Sequence, residues 1–136
     1  MELTRKRRKI RENGKHNRGT HHGEQYTYWF ETAGTDRLAG PPLIHHSCGL
    51  KRGDIFFHKL PDGWQLWLRN GDESAVEDVW TEVDIGYIRE DGRKLTVTPT
   101  IQAPSWVGGD WGTKKVRELT GEYRMLRMLI LSYHSN

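Results

Sequence analysis

The strongest constraint on the fold is one hairpin signal. Residues Trp80–Arg89 and Lys94–Gln102 flank the turn-forming run Glu90-Asp91-Gly92-Arg93. In the second arm Leu95, Val97, Pro99 and Ile101 alternate with Lys94, Thr96, Thr98, Thr100 and Gln102, so one face is apolar and the other carries hydroxyls and amides. Pro99 lacks an N–H for the ladder, which places this strand at an edge or a bulge. A chain of 136 residues holding this unit has room for a single core.

The rest of the pattern is read around the hairpin. Tyr26–Glu31 predicts a first strand ending near Gly34, and Ala39-Gly40-Pro41-Pro42 a connector. Asp54–Leu60 predicts a short strand closed by a turn at Pro61-Asp62-Gly63. The next segment is open. Trp64, Leu66 and Leu68 alternate as in a strand, whereas Trp64, Trp67 and Leu68 share one face of a helix. Asn70–Asp78 reads as a loop or frayed helix, Lys114–Leu119 as a short helix capped by Asp110 or Thr113 and stopped at Gly121, and Tyr123–Tyr133 as a final strand in preference to a helix.

Charge is divided unevenly. Residues 1–24 hold eight Lys and Arg, including Arg5, Lys6, Arg7, Arg8 and Lys9, against three Glu, whereas the remaining 112 residues are slightly acidic. Residues 1–24 are therefore expected to be a disordered basic arm, and residues 25–136 the domain. Mean hydropathy of −0.82 fits such a solvated segment. A clustered basic arm points to a polyanion, because neutralised phosphates release counterions. Nuclear localisation would read the same residues.

Other chemistry is poorly represented. Cys48 is alone and suggests a reducing compartment. No apolar stretch follows the N-terminal charges, so no secretory signal is expected, and Arg127 interrupts the most apolar run, so no membrane partner is expected. His45, His46, Cys48 and His58 lack a recognised zinc spacing and the histidines are read as loop residues; neither a metal nor another cofactor is expected. With no nucleophile-elbow, phosphate-loop or metalloprotease motif, the chain is read as a non-enzyme. Trp64 and Trp67 fit two roles on spacing alone: core residues, or a platform on which bases stack.

Phe57-His58-Lys59-Leu60-Pro61-Asp62 followed by Trp64-Gln65-Leu66-Trp67 resembles a segment of the small RNA-silencing suppressors of tombusviruses and aureusviruses. Tyr87-Ile88-Arg89-Glu90-Asp91 and Ser105-Trp106-Val107-Gly108 resemble two later segments of that family, in the same order over residues 56–123; the short chain and basic arm look most like the aureusvirus member. The resemblance implies an α+β protein with a mixed or antiparallel sheet, short helices on one face, and a concave RNA-binding surface completed by a homodimer. It implies capture of double-stranded small interfering RNA, independently of sequence, in the host cytoplasm or nucleus. Trp64 and Trp67, on a helix, would cap the duplex end, with Tyr87 and Arg89 on an RNA-facing strand. Lys59, Arg69, Arg93 and Lys94 with Thr96, Thr98 and Thr100 would meet phosphates and 2′-hydroxyls, assisted by Arg5, Lys6, Arg7 and Arg8.

This chain has Glu82 and Asp84 where the family has cations, so more of the phosphate binding is expected from the arm; the sequence stops near Asn136, short of the final helix of the family's longer members, so long duplexes are expected ligands too. The main alternative is a capsid or structural protein with a packaging arm. Argonaute contact through Gly63-Trp64 or Trp111-Gly112 is a further candidate interaction.

Overall fold

Aromatic and β-branched residues fall at alternating positions along the middle of the chain, and they form strands there. The computed structural model describes residues 3–10, 25–70 and 79–108. Strands β1 (Lys6–Lys9), β2 (Tyr26–Ala33), β3 (Ile55–Leu60), β4 (Gly63–Arg69) and β5 (Trp80–Val83) make one sheet in that order; β6 (Lys94–Thr98) and β7 (Ala103–Val107) make a second, two-stranded sheet. All pairings are antiparallel except β2 with β3, whose parallel register aligns Trp29 with Ile55 and Phe30 with Phe56.

The expected α+β class is corrected. Among the described residues the fold is β throughout, and the one helical piece is a 3-10 turn at His46–Cys48. The decisive segment is β4. It follows the tight turn after Leu60, pairs with β3 from Leu60↔Gly63 to Ile55↔Leu68, and is buried along its whole length. A central strand of this kind is satisfied on both edges and both faces, which outweighs the helical reading of the Trp spacing. The expected helix at residues 114–119 and strand at 123–133 lie outside the described residues.

The five-stranded sheet has a core on each face. On one, Trp29, Ile55, Phe57, Trp64, Leu66 and Leu68 pack with Leu95, Val97, Ala103 and Trp106 of the small sheet. The Trp106 amide donates to Thr27 Oγ1 at 3.1 Å and ties the two sheets together. On the other, Phe30, Phe56 and Trp67 pack with Ile44 and Leu50 of the β2–β3 connection. His58 and Gln65 fasten that connection. His58 Nε2 donates to the Asp36 carbonyl at 2.8 Å, and Gln65 accepts from the Leu38 amide and donates to the Leu38 carbonyl at 2.7 and 3.0 Å. The concave open sheet expected for a duplex is thus filled on both faces by the protein's own side chains.

The hairpin turn forms as expected, with Gly92 at φ 87° and the Arg89 amide donating to the Arg93 carbonyl at 2.8 Å. Its arms are shorter than the pattern suggests. β5 ends at Val83 on the large sheet, only the Ile88↔Lys94 bridge continues the first arm, and β6 stops at Thr98 before Pro99.

Glu31 joins three strands. Its carboxylate accepts from Lys6 Nζ at 2.7 Å, Lys59 Nζ at 2.8 Å and Trp29 Nε1 at 3.2 Å. Burial pushes its pKa up, but the hydrogen bonds from Lys59, Lys6 and Trp29 prevail and hold it at about 2, against an ordinary 4.5. A depressed folded-state pKa adds stability above pH 4.5 that is lost as pH falls towards 2. Chemical denaturation across that window should show a steeper loss for the native chain than for Glu31→Gln; parallel losses would dismiss this contribution.

Candidate nucleic-acid interface

The basic arm does not stay outside the fold. Lys6–Lys9 forms the edge strand β1, antiparallel to β2 with Arg7 opposite Tyr28 and Lys9 opposite Tyr26. This corrects the boundary drawn at residue 25: residues 3–10 belong to the domain, and Ile10 is buried in its core. The reason is pairing, since an extended run of charged residues can supply a ladder and present its charges outward from an edge. Residues 11–24 lie outside the described residues.

Strand periodicity sorts the cations of this segment. Arg5, Arg7 and Lys9 share the face of Tyr26 and Tyr28; Lys6 and Arg8 lie on the other. The Arg5 guanidinium lies 3.7 Å from the Tyr28 ring centre and that of Arg7 lies 4.7 Å from Tyr26, with the two tyrosine rings 6.0 Å apart. Arg5 is also structural, binding the buried Asp54 carboxylate through Nε and Nη2 at 2.9 and 2.8 Å. Arg7 and Lys9 are exposed, and the outward backbone groups of an edge strand run beside them. Alternating guanidinium and phenol groups beside an exposed ammonium can hold phosphates and stack bases without reading sequence.

The expected tryptophan platform is corrected. β4 sends Trp64 and Trp67 to opposite faces, Trp64 against Phe57 and Trp67 edge-on to Phe56 at 6.0 Å. With 6% and 3% of their surface exposed, neither indole can cover a terminal base pair. The same burial withdraws Gly63-Trp64 as a docking peptide for Argonaute; Trp111-Gly112 lies outside the described residues.

The remaining predicted residues fall into separate places. Lys59 joins Lys6 at Glu31. Arg89 grips Asp91 through Nε at 2.9 Å and lies 4.7 Å from the centre of Trp106, while Arg93 meets the same carboxylate at 3.5 Å. The Arg89 hydrogen bond, opposed by burial and aided by the Arg93 amide and both guanidinium charges, lowers the Asp91 pKa. Tyr87 is exposed and Lys94 half-buried. The expected hydroxyl face of β6 is not continuous: Thr96 is 5% exposed opposite Ser105, Thr98 is half-buried, and Thr100 lies in the turn beyond the strand. Its other face packs on the large sheet, and a two-stranded unit buries part of both.

Arg69 is 1% exposed at the end of β4 and lines, with Arg52, Tyr87 and Arg89, a cavity of about 310 Å³. Sequence reasoning missed Arg52, Tyr26 and Tyr28. The i, i+2 tyrosines were a visible signal, but their cationic partners depend on the β1–β2 register. Among the described residues no three of His, Cys, Asp and Glu gather as metal ligands, and no helix is long and apolar enough to cross a membrane.

No protein-family model matches the chain, and no match was found among curated proteins or solved structures.

Proposed function

We propose that this protein binds RNA duplexes through their sugar–phosphate backbone and, by sequestering small interfering RNA, suppresses RNA silencing without enzymatic chemistry. The observation that carries the binding is the edge strand β1, which sets Arg7 and Lys9 beside Tyr26 and Tyr28 on an exposed rim. Ordering these cations before binding reduces the entropy lost on contact with phosphate, compared with a free tail. Duplex RNA as the ligand class rests on the resemblance of residues 56–123 to the viral suppressors. Burial of both indoles argues against a stacked tryptophan cap on the duplex ends, so this reading extends to long double-stranded RNA.

Gel shifts with single-stranded RNA, short blunt duplexes and long duplexes test it. Duplexes should be preferred, with long ones bound at least as tightly per site. The β fold of the described residues with a basic segment favours a second reading, a structural protein that packages nucleic acid. Indifference to strandedness, together with large multimers in solution, would favour packaging and reject the suppressor.

A further inference from the structure

We infer that the cavity between the end of β4 and the 84–95 hairpin is a binding site for a terminal phosphate monoester. At about 310 Å³ it lies at the small end of the range for ligand sites, suited to a phosphate group with part of its nucleoside. Among the described residues its lining includes three arginines, Arg52, Arg69 and Arg89, with Asn70, Tyr87 and one carboxylate, Glu90. Among the described residues, the neighbouring Asp54 is engaged by Arg5 and the Lys51 amide, and Asp91 by Arg89 and Arg93.

The three guanidinium groups are held differently. Arg69 is almost wholly buried, and its main chain is fixed in the strand end by the amide donating to the Asp54 carbonyl at 3.0 Å. Arg89 is oriented by Asp91 beneath it and by the face of Trp106. Arg52 stands on the exposed rim, 3.6 Å from Glu90, whose side chain is 93% exposed. An ion pair so exposed is weak and is readily exchanged for a better anion. The arrangement thus has a fixed basic floor and a rim cation able to close on a ligand. A phosphate monoester, near two negative charges at neutral pH, gains more from such a cluster than the singly charged diester of a chain interior. This chemistry occurs at the 5′ end of an RNA strand and on a free mononucleotide.

The assignment to an RNA end rests on the RNA reading above; the cavity's affinity for a monoester does not. Two measurements on the full chain separate them. Short duplexes with 5′-phosphate and 5′-hydroxyl ends are compared by gel shift, and adenosine monophosphate is compared with adenosine by calorimetry. The phosphorylated duplex should bind roughly tenfold tighter, and Arg52→Glu, at an exposed position, should remove that preference while leaving a hydroxyl-ended long duplex bound. Adenosine monophosphate should bind and adenosine should not, with Arg52→Glu abolishing the difference. Binding of the mononucleotide without any RNA binding would keep the pocket and reject the RNA reading. Equal affinity for both duplex ends, with no mononucleotide bound, would overturn the inference, as would a phosphate preference that survives Arg52→Glu.

Discussion

Trp67→Ala is expected to destabilise the protein by about 3–5 kcal/mol, which in a domain worth about 5–15 kcal/mol is enough to unfold much of it. The indole is 3% exposed on the central strand β4 and packs with Phe56, Phe30, Ile44 and Leu50, so its loss leaves a large hole in the smaller of the two cores. Trp64→Ala should cost a comparable amount through the other core, where Phe57 and Leu66 lose their neighbour. Urea denaturation measures both. RNA binding then separates the core role from a stacking role: Trp67→Phe, which keeps most of the packing, should retain the affinity for short and long duplexes alike. A selective loss on short blunt duplexes from a folded Trp67→Phe protein would restore the end-cap role that the burial removes.

The second large effect is expected at β1. Each phosphate neutralised contributes about 0.9 to the slope of log affinity against log salt. Replacing Arg7 and Lys9 by Gln should lower that slope by up to about 1.8 and weaken duplex binding by one to two orders of magnitude near 0.1 M salt. Both side chains are exposed, so stability should change little. Arg5→Gln is the contrasting variant. Arg5 holds Asp54, which is 3% exposed, so its loss should lower stability first by leaving a buried carboxylate without its partner. An unaltered salt slope in the Arg7, Lys9 double variant would remove β1 from the interface. Substitution is the informative design here, because deleting residues 1–24 would also strip an edge strand from the sheet and take Ile10 from the core.

Much of the strand pattern was legible from local chemistry. The turns at Pro61-Asp62-Gly63 and Glu90–Arg93 form where Gly and Asp mark them, and Tyr26 and Ile55 begin strands close to the expected positions. Two errors had one physical cause. Trp64 and Trp67 are compatible with a helical face at spacing three and with opposite faces of a strand, and local spacing carries no term for the neighbours β3 and β5 that decide between them. From sequence the basic arm reads as solvated because its charge resists burial; yet an edge strand requires only a ladder on one side, and β2 supplies it.

By itself, the sequence determined where charge is concentrated, where the chain turns and which segments alternate, because these follow from side-chain chemistry over a few neighbouring residues. Tertiary structure alone decided which residues meet. Parallel pairing of β2 with β3 enclosed one core under the 37–51 connection, packing of β6 and β7 enclosed the other, and the β1–β2 register set Arg7 beside Tyr26. The free energy of those choices lies in contacts between residues far apart in the chain, and that is why the tryptophans became core and the arm became a strand.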